Sequence, residues 1–258
     1  MIILLLDESL RVQIFYEGQD AEFKDNICIS FQEDCPEEEK IFKVDETNIY
    51  LTPEQAQELA DALNTAAAQS KLATRAKQLN ERRFDGDVDR LRSIERRNLL
   101  EVDHVVKTAL ESIEVENILD VGTGSGLFAE SFAERGLEVA GLDISAEMVE
   151  SARRYVPEGD IRLGAAEDMP YPDNSFDLVF MGLLLHETDD PEQTLREARR
   201  VARKRVVVLE WPYKEGQIGP PLEHRLSPDE IKVLTRKVGF PEVESIQMAN
   251  TVLYCMKV

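Results

Sequence analysis

Short apolar or alternating runs at residues 2–6, 10–16, 26–31 and 40–44 are separated by acid-rich, glycine-containing stretches such as YEGQD and QEDCPEEEK. A period of two puts every second side chain on one face, so these runs predict a small antiparallel sheet. The segment YLTPEQAQELADALNTAAAQS then changes period. Thr52 precedes Pro53 and Gln55 follows three residues after it, the signature of a capped helix start, while Ala56, Leu59, Ala60 and Leu63 share one face. Residues 71–87 are polar and basic around ERRFDGD, which places a domain boundary near residue 80. A helix is expected from Asp89 to Ser112, with Leu91, Ile94, Leu99, Val102, Val105, Val106 and Leu110 at helical spacing.

From residue 118 onward apolar strands and amphipathic helices alternate. Strands are expected at 118–121, 138–142, 160–163, 176–181 and 205–210, with helices at 126–135, 145–155 and 191–203. Such crossovers carry the chain back over the sheet, so the strands lie parallel and are covered on both faces. Ser227 and Pro228 start another helix, and VESIQM with NTVLYCMKV forms an antiparallel pair that completes a seven-stranded sheet. The fold class is therefore α/β, a doubly wound, mostly parallel sheet ending in an antiparallel hairpin. A small α+β accessory domain and linker over residues 1–80 precedes the main domain at 81–258.

Composition narrows the partners. The 258 residues hold 51 Asp and Glu against 30 Lys and Arg, a formal charge of −21, which opposes loose association with nucleic acid or anionic lipid. No run approaches the roughly 18 apolar residues of a membrane span, and MIILLLDE reads as a strand rather than a leader. The three cysteines, Cys28, Cys35 and Cys255, lack CxxC spacing, so neither a disulfide framework nor a zinc site is expected and a reducing cytoplasm is the expected setting.

The segment ILDVGTGSGLFAESFAERGLEVAGLD, residues 118–143, carries the candidate chemistry. Gly122, Gly124 and Gly126 follow a strand and open a helix, where backbone can turn tightly and a ligand can approach unpaired N–H groups at a positive dipole end. Asp143 ends the next strand, 19 residues beyond Gly124, and is placed to accept hydrogen bonds from two ribose hydroxyls. Together they imply a ribose-bearing ligand. Spacing alone does not name it, since GSGLFA also satisfies the permissive dinucleotide pattern.

The segment ILDVGTGSG, with Asp120 before the first glycine, resembles the first motif of class I S-adenosylmethionine-dependent methyltransferases. LEVAGLDISAEMVESARR, GAAEDMPYPDNSFDLVFMGLLLHE and DPEQTLREARRVARK continue the resemblance in order, over roughly residues 85–258, and are similar to the ubiquinone and menaquinone biosynthesis methyltransferases. The resemblance implies a Rossmann-like fold and S-adenosylmethionine as methyl donor. It implies that the loop Gly122, Thr123, Gly124 and Gly126 packs against the methionine portion, with Asp120 contacting the amino group directly or through water. Asp143 then holds the ribose, Ile144 flanks the adenine, Ala166 and Glu167 border its edge, and Met181 with Gly182 forms the wall beneath the sulfur. Two departures stand out: Ala165 replaces an acid common in relatives, and RVARKRVVVLEW lacks a Pro-Gly-Gly turn.

Methyl transfer from a sulfonium needs alignment and exclusion of water more than a nucleophilic residue. If the acceptor is a hydroxyl or carbon acid, a base helps, and His186 is the candidate, as base or as an orienting group. Trp211 and Tyr213 are candidates for the acceptor pocket, the alternative being packing at a strand end. His224 and Arg225 lie in a proline-marked loop able to act as a lid, with Arg225 available to an anionic acceptor; the alternative is loop anchoring. The basic runs RR and RKR read as a solvated helix end. His186, Glu187 and His224 have no recognised ligand spacing, so no metal is expected. The leading function is methyl transfer to a small molecule. A nicotinamide-dependent oxidoreductase and a non-catalytic S-adenosylmethionine-binding regulator are the alternatives. The edge of the N-terminal sheet offers a route to a homodimer.

Overall fold

The structure, a computed structural model, describes residues 2–5, 10–16, 27–33, 40, 46–63, 66, 91–216 and 218–258. The chain divides into two units, Met1–Ala67 and Ala68–Val258; the boundary expected near residue 80 lies outside the described residues.

In the first unit β1 (Ile2–Leu5), β2 (Leu10–Tyr16), β3 (Ile27–Glu33) and β4 (Glu46–Leu51) form an antiparallel sheet in chain order. Leu10 and Val12 of β2 and Cys28 and Ser30 of β3 alternate into its buried positions. The fourth strand lies at Glu46–Leu51; of the run expected at 40–44 only Lys40 is described, and it is outside any strand. Helix α1 (53–63) begins as its capping pattern predicts, with Gln55 N–H donating to Thr52 Oγ1 at 3.2 Å and Thr52 N–H to Gln55 Oε1 at 3.0 Å.

The second unit is built on a seven-stranded sheet. Its strands are β5 (Asn117–Val121), β6 (Glu138–Asp143), β7 (Asp160–Leu163), β8 (Phe176–Gly182), β9 (Ala202–Glu210), β10 (Val243–Gln247) and β11 (Val252–Lys257), in the order β10-β11-β9-β8-β5-β6-β7. Parallel pairing joins β7, β6, β5, β8 and β9, and β11 and β10 pair antiparallel beyond β9. The helices are α2 (Ile94–Leu99), α3 (Val102–Ala109), α4 (Leu127–Ala133), α5 (Ala146–Tyr155), α6 (Pro191–Val201) and α7 (Pro228–Val238). Alternate strand residues feed two cores. Ile118, Leu178, Phe180 and Leu209 pack with residues of α3, α4 and α5, while Leu119, Val179, Val208 and Met181 pack with residues of α6 and α7. The order turns from β5–β6–β7 on one side to β8–β9 on the other, so connections diverge beyond the carboxyl ends of β5 and β8.

Two helix expectations need correction. Asp89 and Arg90 of the helix expected over 89–112 lie outside the described residues; beyond the N-cap Ser93 the rest is α2 and α3, broken at Leu100 and Glu101, with Glu101 left-handed at φ 49° and α3 ending at Ala109. The break is held from far along the chain: Asn250 Nδ2 donates to Leu99 O at 3.0 Å, and Ala249 N–H donates to Glu101 Oε2 at 2.7 Å. The helix expected to residue 203 ends at Val201, so Arg203, Lys204 and Arg205 belong to β9 rather than to a solvated helix end. Arg203 pairs with Asp177 at 2.9 Å, and the buried Arg205 donates to Ala109 O and Glu111 O, closing the carboxyl end of α3.

Candidate active site

A cleft of about 660 Å³ opens beyond the carboxyl ends of β5, β6, β8 and β9. Its floor is the turn between β5 and α4. Gly122, Gly124 and Gly126 all have positive φ, at 67°, 53° and 82°. This winding lets Gly122 N–H and Thr123 N–H donate to Leu142 O at 2.7 and 3.0 Å, tying the turn to β6. Gly126 is the N-cap of α4 and abuts α5, where an added Cβ would lie 3.0 Å from Ala152 Cα. Arg92 supports the turn from outside, donating to Ser125 O at 2.9 Å, stacking over Tyr155 and pairing with Glu130.

Asp143 meets the same turn from β6. Its Oδ2 accepts Gly124 N–H at 2.8 Å and its Oδ1 accepts Ser145 N–H at 2.9 Å. Burial raises the Asp143 carboxyl above its ordinary range, against these backbone donors. Of the residues singled out in the sequence, the cavity wall includes Gly122, Thr123, Gly124, Asp143, Ile144, Ala166, Glu167, His186 and Trp211. Glu167 Oε1 also accepts Asp189 N–H at 3.1 Å, fixing its side chain at the rim.

Other expected site residues stand elsewhere. Asp120, 1% exposed, sits behind the loop and accepts Thr123 Oγ1–H at 2.8 Å, so it holds the cradle rather than forming its surface. Burial, more than any neighbour, pushes its carboxyl up to about 7. Met181 is wholly buried in the core under α6 and α7, and Gly182, Leu183 and Leu184 take the wall beside it. Gly126 caps α4 just outside the lining, and Tyr213 and His224 lie off it too. Arg225 is not turned to the cavity: its guanidinium donates to the carbonyls of Pro212, Lys214, Ile218 and Pro220, anchoring the loop. Four backbone-directed hydrogen bonds from one rigid plane suit that bundling of carbonyls. Among the described residues no group of three or more potential metal ligands occurs.

Three contributors were not singled out from the sequence. Arg96, from α2, lines the cavity; Leu184 packs within 2.7 Å of where a Gly122 Cβ would be; and Glu210 anchors His186. For Glu210 the signal was present, since it is a lone acid closing the apolar run VVVLE.

Residues 119–209 match the family model described as a methyltransferase domain. Over these residues the chain is similar to methyltransferase domains. Over 111 residues, 42% of this chain and 47% of the other, it is 33% identical to the demethylmenaquinone methyltransferase of Renibacterium salmoninarum. Over 110 residues, 41% of this chain and 48% of the other, it is 36% identical to that of Thermotoga maritima. The match thus spans about half the length of these relatives. A solved structure of a SAM-dependent methyltransferase from Aquifex aeolicus superposes with a TM-score of 0.61 at 25% identity, covering 68% of this chain and all of that one. The glycine turn and Asp143 fall within residues 119–209, whereas the cleft also draws on Leu91, Arg96, Leu100, Trp211, Gly219 and Pro220 outside them.

The cradle fits the donor such domains use. The walls of a cleft this size are within the usual range for a bound small molecule. An added Cβ at Gly124 would meet nothing nearer than Leu91 Cδ1 at 4.0 Å, so its backbone is open on that side. Ser125 Oγ, buried in a residue of the cavity wall, has no hydrogen-bond partner among the described residues. Among the described residues no helix is long and apolar enough to cross a membrane.

Proposed function

We propose that the protein transfers a methyl group from S-adenosylmethionine to a small-molecule acceptor by in-line displacement. The observation that carries this reading is the junction of the left-handed glycine turn with Asp143, through Gly124 N–H at 2.8 Å, on the wall of one cleft. When bound, S-adenosylmethionine supplies a methyl carbon on a positively charged sulfur that is already a good leaving group. The protein's own residues bind, orient and keep water out.

Gly122, Thr123 and Gly124 offer a concave backbone at the start of α4 to the methionine end, with Gly126 as the hinge of that turn. Asp143 accepts the ribose hydroxyls with the lone pairs its two backbone donors leave over. Ile144, 47% exposed, offers a flat apolar face to the adenine, and Ala166 and Glu167 border its edge. Asp120 and Met181 hold these groups from behind. The acceptor enters beside Leu100, Phe128, Leu183 and Trp211, an apolar wall that includes the residue after β9. The relatives named for demethylmenaquinone support a small-molecule acceptor. The buried thiol of Cys255 suits a reducing cytoplasm. Pairing of two copies at an edge of the N-terminal sheet completes the reading, and sedimentation checks it.

Calorimetric titration with S-adenosylmethionine, S-adenosylhomocysteine and NAD tests the function. Binding of both sulfur nucleotides and none of NAD is expected. NAD binding without response to the sulfur nucleotides overturns it in favour of an oxidoreductase.

A further inference from the structure

The end of β9 and the 3-10 turn Leu185–Glu187 after β8 bring three ionisable side chains into a row. Glu210, 1% exposed, gives both oxygens to His186: Oε1 accepts its backbone N–H at 3.0 Å and Oε2 lies 2.7 Å from Nδ1. Across the ring, Nε2 lies 3.6 Å from Glu187 Oε1. His186 and Glu187 line the cavity; Glu210 stands behind them. A carboxyl oxygen accepting from Nδ1 keeps a proton on that nitrogen and fixes the ring, so Nε2 is held toward Glu187.

Glu187 is the most exposed member of the row, with 32% of its side chain exposed against 5% for His186, and it lines the cavity. Burial is the largest cause raising its carboxyl above the usual range. Glu210 and Asp143 add repulsion, while His186 and Arg96 oppose it. Asp189 and Glu167 are the other acids on the cavity wall. A carboxylate whose affinity for a proton is moved toward neutrality is better matched to general-base work.

We infer that Glu187 takes the proton from the methyl-accepting atom, with His186 and Glu210 as positioning residues behind it, and that the acceptor carries an ionisable hydroxyl. The inference rests on the proposed methyl transfer. The acceptor oxygen gives its proton to a Glu187 carboxylate oxygen as it bonds the methyl carbon, whose bond to sulfur breaks with the electron pair left on sulfur. The cationic sulfur becomes neutral, the carboxylate becomes a neutral acid, and charge is conserved. When both ring nitrogens carry protons, His186 stabilises ionised Glu187 before the step, and Glu210 Oε2 on Nδ1 keeps the ring from turning away.

Calorimetry with S-adenosylhomocysteine comes first and bears on the methyl-transfer reading alone: without binding, that reading fails. In the complex, nitrogen-15 spectra of the His186 imidazole are then followed against pH. Glu187→Gln and Glu210→Gln are each expected to lower its midpoint by about one unit or more, because each removes an adjacent negative charge. Unmoved midpoints overturn the row. Methylation of catechol, naphthol and hydroxycinnamate supplies the kinetic arm. Glu187→Gln is expected to lower kcat by about 100-fold or more, with unchanged affinity for S-adenosylhomocysteine, and to remove the rise of rate with pH. Glu187→Asp is expected to restore part of it, and Glu210→Gln to lower kcat while leaving KM for the donor alone. A kcat for Glu187→Gln close to wild type overturns the proposal. So does a wild-type protein that binds S-adenosylhomocysteine and methylates none of the three hydroxyl probes.

Discussion

Gly124 and Asp143 are joined end to end: the glycine N–H donates to Asp143 Oδ2 at 2.8 Å, linking the turn after β5 to the tip of β6. The acid that is read as the ribose acceptor therefore also shapes the cradle for the methionine end. Asp143→Ala is expected to weaken S-adenosylhomocysteine binding by at least about 100-fold, the loss of roughly two charge-assisted hydrogen bonds. The sheet keeps its cores, so circular dichroism should be unchanged. Asp143→Asn retains an acceptor and should lose less. Calorimetry on both variants decides; unchanged affinity in Asp143→Ala places the ribose elsewhere.

Asp120 titrates in an unusual range. Its carboxyl is pushed up to about 7, chiefly by burial, with the charge of Asp143 adding to the effect. A folded pKa above the unfolded one means that the folded state holds the proton longer. That contribution is full below the ordinary value near 4 and is lost as pH rises toward about 7. Asp120→Asn leaves Thr123 an acceptor without a charge. Its stability relative to wild type should climb between about pH 4 and pH 7, by about 4 kcal/mol across the window. Urea unfolding of both proteins at the two ends measures this. A difference that does not depend on pH refutes it.

The parallel unit was legible because its local signals agree. Ser227, Pro228 and Glu230 form a capping box at the start of α7, and the glycines after β5 take the positive φ that their spacing implies. What could not be read depends on residues brought together from far apart. The break at Glu101 is held by Ala249 and Asn250, and Arg205 leaves the helix-like run RKR because Ala109 O and Glu111 O call for a donor. Likewise Arg225 looks available in sequence, but four carbonyls of its own loop take its guanidinium. Glu210 escaped notice because its partner is a side chain 24 positions earlier, on the neighbouring strand's exit.

Gly126 and Gly136 separate backbone strain from close approach. Both are left-handed, at φ 82° and 80°, but a Cβ at Gly126 would lie 3.0 Å from Ala152 Cα whereas one at Gly136 meets nothing within 4 Å. Gly136→Ala should cost about 1–2 kcal/mol, the left-handed penalty alone. Gly126→Ala adds overpacking of α4 against α5 and should cost about 2–4 kcal/mol. Thermal unfolding of the two variants compares them. Because the Gly126 variant must also shift the cradle, it should lose affinity for S-adenosylhomocysteine while the Gly136 variant keeps it. Equal losses of stability in both would show that contact with Ala152 is not what requires glycine.

Arg225 organises the segment that carries one wall of the cleft. Its Nε donates to Pro220 O at 2.8 Å, and its terminal nitrogens donate to Pro212 O, Lys214 O and Ile218 O at 3.0, 2.9 and 2.6 Å. The loop so gathered packs Gly219 against Trp211, where a Cβ would come within 2.7 Å of the indole. Trp211, Gly219 and Pro220 all line the cavity. Lysine keeps the charge but has one nitrogen on a flexible stem, so Arg225→Lys cannot satisfy carbonyls spread around a planar fork. Leaving two or three of them unpaired should destabilise the protein by about 2–4 kcal/mol. The loss should concentrate in the loop: limited proteolysis is expected to cut between residues 212 and 221 first. If Arg225 instead served an anionic acceptor, the lysine variant would keep its resistance to protease and lose affinity for that acceptor alone. Donor affinity should change little, because the glycine turn follows β5 and Asp143 ends β6, whereas this loop follows β9, beyond β8 in the sheet.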